Sequence, residues 1–541
     1  MSKKRLPSGE KRSNASGARV YADSHDSLVR EADFLNVIRG RHSNLLSAGS
    51  YIEDTADDFP VLTRPLLALI LSETEQLEEL LDSYGARYNT KWLVFREIIA
   101  VARIISRISY TVLHIQHSLP RYRLRRIRRD IFADTDRAAS YLSESLALVM
   151  RELMRQARNL GMQSHVEIYP DEYYSESLPA GQLPCNRHVR HVDGAEQTLL
   201  MVATESLGLT ARGSFLHKCD ISNPPCYPCY VPDPVSEESL RELEYHFHNL
   251  QSLYDTYLLG TDLEKADADL RTLRGHVSII FHLLQAGTEA VHLYERHILL
   301  PPQDFSITSQ CELNTEQLLG FLIGYCVAYS SSYLEGMRSL CQEILNKYIE
   351  TATIEVPVPP YRGFHVRPAT LVAKIAHHYG SNVTMELAGH KYDAANTLDL
   401  FRANESVNAE KRRRIAEKVN QLPEIKIAEA GPEECIRAVR RAILALAERN
   451  EVVIYEHPLP IQAYPSGNRE IQNTRDFIVE AIKRLLALGK IDLESRMQVR
   501  FTGDKRVLRD IKLLAENGYG EDRFGNNIPL PPELSYLREE K

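Results

Sequence analysis

The chain has 541 residues, 43% of them hydrophobic and 26% charged, with a formal net charge of −8. That length allows about three or four domains, and the composition is that of a globular protein rather than a disordered or fibrous one. The small net acidity excludes wholesale nucleic-acid binding and leaves room only for a local basic patch.

Residues 1–21 carry Lys3, Lys4, Arg5, Lys11, Arg12 and Arg19 but no apolar core of a secretory signal, and are read as a disordered tail. Helical spacing governs residues 22–165: Leu28, Ala32, Phe34, Leu35 and Ile38 approximate one apolar face, Leu66 to Leu81 open a second helix, and Trp92–Ile108 and Ala138–Leu160 read as longer ones. Between them, Arg121, Arg123, Arg125, Arg126, Arg128 and Arg129 crowd together with little aromatic interleaving beyond Tyr122; the run is read as a solvated helix face or turn, and no nucleic-acid partner is expected.

Residues 166–235 differ in texture. Prolines at 170, 179, 184, 224, 225, 228, 232 and 234 break helical periodicity, and Cys185, His188, His191, His217, Cys219, Cys226 and Cys229 concentrate here. Two readings stand: free thiols and solvated imidazoles in a loop, or a structural zinc held by four of them, with His217, Cys219, Cys226 and Cys229 the preferred set. Helices resume over residues 236–350. The uncharged stretch Gln317–Leu334 contains Ser330, Ser331 and Ser332 and falls short of the ~20 apolar residues a bilayer requires, so it is read as a buried core helix. With neither signal nor span, a cytoplasmic location with reduced cysteines is expected.

From Thr351 the period changes to two: Ile354, Val356 and Val358 alternate as in a strand. A helix with Val372, Ile375, Ala376 and Tyr379 follows, then strands at Val383–Leu387 and Lys391–Ala394, a short helix, a fourth strand at Ile425 and Ile427, and a closing helix through Ile436, Val439, Ile443 and Leu446. Residues 351–449 thus read as an α+β domain, and residues 450–541 as a small α/β segment. The predicted fold class is a mostly α-helical N-terminal region, an open-faced α+β sandwich and a small C-terminal α/β piece.

The loop before the first helix of that α+β domain reads Gly363-Phe364-His365-Val366-Arg367-Pro368-Ala369. A histidine at a helix start lies beside unpaired backbone N–H groups and the positive end of the dipole, which suits a dianionic phosphoryl group. Imidazole is a competent nucleophile near neutral pH. Arg367 can form charge-assisted bonds to phosphoryl oxygens, Pro368 loses no intrahelical hydrogen bond in the first turn, and Gly363 allows a backbone conformation closed to other residues.

All seven positions match the active-site signature of the histidine-containing phosphocarrier (HPr) family of bacterial sugar phosphotransferase systems, which this region resembles together with that family's order of elements. The resemblance covers about 100 residues, in keeping with the size of a small domain. It implies that His365 carries a phosphoryl group taken from a PEP-dependent phosphotransferase enzyme, with Arg367 stabilising it and Gly363, Pro368 and Ala369 shaping the loop. Two departures accompany it. Asn396 stands where serine-kinase-regulated members carry serine, with Thr397 out of register, and a charged insertion at 403–422 replaces a short loop on a surface that family partners use. No Walker loop, dinucleotide fingerprint or nucleophile elbow is visible, so the expected function is a phosphoryl-accepting carrier or phosphorylation-sensing regulator rather than a stand-alone enzyme, with protein partners for the helical region. The alternative is a scaffold that keeps the sandwich as a docking module, beside a structural zinc.

Overall fold

A computed structural model describes residues 28–54, 62–162, 173–176, 183–184, 186, 188–300, 306–423, 432–461 and 474–538. The N-terminal tail, Cys185 and the expected strand at Ile425 and Ile427 lie outside the described residues. The chain is mostly helical, with one four-stranded and one two-stranded antiparallel sheet among the described residues. It divides into two units. The first comprises residues 1–187, 213–248 and 275–333; the second comprises 188–212, 249–274 and 334–541.

The first unit is a helical array. Its helix Arg64–Ser83 begins on Thr63, whose hydroxyl accepts from the Leu66 N–H, with Pro65 in the first turn. The helix Leu93–Ser118 buries a broad apolar face, with Ile98, Ile99, Ile104, Ile105, Ile108, Val112 and Ile115 all inside. Leu93–Arg121, not Gln317–Leu334, is the stretch long and apolar enough to cross a membrane by composition, and 72% of its most apolar window is buried in the structure. A charged network crosses this core. Arg96 is 3% exposed and bonds Glu78 and Asp82 at 2.8 Å and Glu97 at 3.0 Å, while Glu97 also meets His297 at 3.0 Å. The arginine run is an irregular link after the long helix, and Arg129 is tied to the Gly324 carbonyl and to Asp134.

In the second unit, β1 (Thr351–Pro357), α1 (Val366–Tyr379), β2 (Thr384–Leu387), β3 (His390–Asp393) and α2 (Thr397–Asn420) follow one another. The β2–β3 turn is Ala388-Gly389, both left-handed, which matches a two-residue hairpin. After α2 come α3 (Pro432–Glu448), β4 (Val453–Ile454), α4 (Thr474–Ala487) and β5 (Ile491–Asp492). Then β6 (Gln498–Asp504) and α5 (Lys505–Glu516) complete the unit.

The sheet order is β1–β6–β2–β3, every pairing antiparallel. One face packs α1 and α5 over Val356, Met385, Leu387, Val499 and Phe501. The other is solvated and carries the Thr353–Thr502 pair and Arg500 between Glu355 and Glu386. The result is an open-faced sandwich.

This pairing corrects the expected domain end. Among the described residues, the sandwich takes its last strand and helix from β6 and α5, beyond Arg449. The helix with Val439, Ile443 and Leu446 forms, but it packs on Ile415, Val419, Ile478, Ile482 and Ile491 in a second core. Period-two burial decides the matter: Val499 and Phe501 face the sandwich core. The described residues between α2 and β6, in 421–423, 432–461 and 474–497, are therefore an insertion with its own core. It is built on α2, a single helix whose Leu400, Ala403 and Val407 belong to the sandwich and whose Ile415 and Val419 belong to the insertion.

Candidate phosphoryl-acceptor site

The site loop is held in an uncommon shape. Arg362 and Gly363 are consecutive left-handed residues, at φ 55° and 61°. Glycine is required at 363 because a Cβ there would lie 1.9 Å from Asn404 Oδ1. Asn404, on α2, clamps both sides of that kink: its Oδ1 accepts from the Phe364 N–H at 3.0 Å and its Nδ2 donates to the Arg362 carbonyl at 3.1 Å. The Arg362 N–H donates to the Asp492 carboxylate. Asp492 in turn takes two bonds, 2.8 and 2.9 Å, from the buried Lys411 ammonium. Burial drives the Lys411 pKa below the usual lysine value, and Asp492 opposes the shift. The Arg362 guanidinium stacks 4.3 Å over the Tyr455 ring.

His365 then caps α1 in extended conformation, with its carbonyl accepting from the Ala369 N–H at 3.1 Å and its side chain making no capping bond. Pro368 and Ala369 are buried in the first turn. The imidazole is 25% exposed, and its Nε2 meets Glu521 Oε2 at 2.8 Å. A carboxylate oxygen accepts, so in a neutral imidazole this contact selects the Nε2–H tautomer and leaves the lone pair on Nδ1.

Glu521 arrives from a turn after α5. Gly518, Tyr519 and Gly520 are all left-handed. Tyr519 is fully buried, its ring edge-on to Phe364 at 6.0 Å and its hydroxyl donating to the Pro357 carbonyl at 2.8 Å. Burial pushes the Tyr519 phenol well above its usual pKa. Arg367 makes no ion pair among the described residues, and its buried Nε has no hydrogen-bond partner. It lies under Gly520, where a Cβ would come 3.3 Å from that nitrogen.

The loop, His365 and Arg367 are thus where the sequence places them. Glu521, Asn404 and Asp492 were not foreseen, because each comes from an element remote in sequence. A weak signal existed in Gly518-Tyr519-Gly520, a turn spelled by two glycines around an aromatic.

The candidate zinc ligands are not assembled. Among the described residues no three of His, Cys, Asp and Glu are grouped to hold a metal ion. His217 Nδ1 instead meets Ser331 Oγ at 2.6 Å. Cys219 is buried, which pushes its thiol up to about 11 and keeps it protonated. Cys226 Sγ accepts from Asn223 Nδ2 at 3.1 Å, and Cys229 is exposed. The tight 3-10 turn Pro224–Tyr230 carries both cysteines and buries Tyr227. His191, exposed in a loop of the second unit, has the loose neighbours Asp193 and Asp262 at 3.6 and 3.7 Å.

In comparisons with known proteins the chain matches no family model, no curated protein and no solved structure.

Proposed function

We propose that the chain is a phosphoryl-accepting protein of the HPr type, taking the group onto His365 from a PEP-dependent phosphotransferase and acting as a carrier or a phosphorylation-sensing regulator. One observation carries the reading. His365 is a partly exposed imidazole at the N-terminus of a 14-residue helix, with Nε2 engaged by a carboxylate and Nδ1 left for chemistry. The first-turn N–H groups of that helix lack intrahelical acceptors, and the dipole favours an anion there.

The open-faced sandwich with helices on one face supports the family resemblance as the sequence suggested it. Arg367, two residues from the acceptor and without an ion pair among the described residues, supplies a cation in the same first turn. Phosphorylation would add a charge of about −1.5 to −2, enough to change what docks against the α1 end of the sandwich. The charged stretch 403–422, where the family has a short loop on a surface its partners use, lies largely within the long α2, which supports a dedicated regulatory partner over bulk relay.

Incubation with PEP and the purified general phosphotransferase enzyme tests the proposal. Acid-labile, base-stable label that His365→Ala abolishes is the expected result. No label with the cognate host enzyme overturns it.

A further inference from the structure

We propose that Glu521 is the positioning residue of His365, a role additional to the seven-residue loop and resting on the phosphoryl-acceptor reading above. The carboxylate holds Nε2–H at 2.8 Å, fixes the neutral ring in one tautomer, and orients Nδ1 as the nucleophile. Three observations carry this. Glu521 is itself mostly buried, its side chain 13% exposed, so the pair is not a loose surface contact. The segment that delivers it is anchored on both sides: Tyr519 is locked under Phe364 and Pro357, and the Ile528 N–H bonds the Gly520 carbonyl at 3.0 Å. Finally, Gly520 is left-handed at φ 78° and its missing Cβ makes room for Arg367 and Leu371, so the turn that delivers the carboxylate to the ring is fitted against the first turns of α1.

The chemistry balances without another reagent. The Nδ1 lone pair forms the N–P bond as the donor's bond to phosphorus breaks, and the leaving group takes that electron pair. Nε2 keeps its proton, so the phosphorylated ring is a cation, and the Glu521 carboxylate neutralises it at hydrogen-bond distance. When the group passes on, the ring returns to the Nε2–H form and no proton need be exchanged with solvent. A carboxylate that fixes a histidine's tautomer by binding its distal nitrogen is a general device of nucleophilic and metal sites.

The test uses the full chain labelled with nitrogen-15 histidine, with the His365 signals assigned by their loss in His365→Ala. Long-range proton–nitrogen correlation reads the ring tautomer directly. The wild type is expected in the Nε2–H form, Glu521→Ala as a mixture, and Glu521→Asp close to wild type. Phosphoramidate, which needs no protein partner and releases ammonia, then labels the ring. Wild type is expected to give the Nδ1 isomer, and Glu521→Ala to label at least tenfold more slowly with an unchanged thermal melt. An Nδ1–H tautomer in the wild type overturns the proposal even if every variant misfolds. So does a folded Glu521→Ala protein with unchanged tautomer and labelling rate. A fixed Nε2–H ring that phosphoramidate does not label upholds the orientation by Glu521 and contradicts the acceptor function instead.

Discussion

A single substitution tests how much the left-handed kink before His365 matters. Gly363→Ala forces a Cβ onto Asn404 Oδ1 and into positive φ, which should destabilise the second unit by about 1–3 kcal/mol, read as a lower denaturant midpoint at unchanged slope. The Lys411–Asp492 pair behind the kink should be more costly to break. Lys411→Met leaves a buried carboxylate unpaired, at about 3–5 kcal/mol, and the double variant Lys411→Met with Asp492→Leu should recover only part of that because the Arg362 N–H then loses its acceptor. At this scale the sequence was half legible. His365, Arg367 and Gly363 announce themselves because helix-start chemistry is local. Glu521 lies 156 residues from His365, and nothing local to an acidic residue says which imidazole it will meet. The zinc set fails for the converse reason: close spacing in sequence did not overcome the burial of Cys219 and the turning of His217 toward Ser331.

Among the elements, α2 is the one that joins two cores. Ile415→Ala removes a fully packed side chain from the insertion's core and should cost about 2–5 kcal/mol, while Leu400→Ala removes one from the sandwich at similar cost. Monitored by phosphoramidate labelling at equal folded fraction, Ile415→Ala should leave the rate unchanged and Leu400→Ala should lower it, because only Leu400 shares a core with Phe364. The strand-and-helix texture from Thr351 onward was readable from the switch in hydrophobic period. Which strand closes the sheet was not. Connections between neighbours are usually short, so the sequence points to the nearest β-like pair, Ile425 and Ile427. Among the described residues the sheet takes β6, which follows a whole second core in sequence, and no propensity of its own residues reports that pairing.

At the scale of the molecule, the helical unit has its own pH response. Asp82 is held down to about 2, first by the hydrogen bond from Arg96, against an ordinary value of 3.8. A lowered carboxylate pKa adds stability that is complete above the unfolded value and disappears as pH falls through the folded one. Unfolding of this unit should therefore ease between about pH 4 and pH 2, and Asp82→Asn should flatten that dependence in acid titrations followed by circular dichroism. The helical character of this unit was plain from its apolar spacing, but not the buried Arg96 network, since charged residues on a helix read as surface until their partners are known. What the second unit does turns on whether His365 is an acceptor. The most direct measurement is site mapping under alkaline conditions after incubation with PEP and the general phosphotransferase enzyme. One phosphorylated histidine, His365, is expected, lost in His365→Ala and unaffected by His217→Ala. Phosphate on any other histidine with His365 unmodified, or none at all, would contradict it.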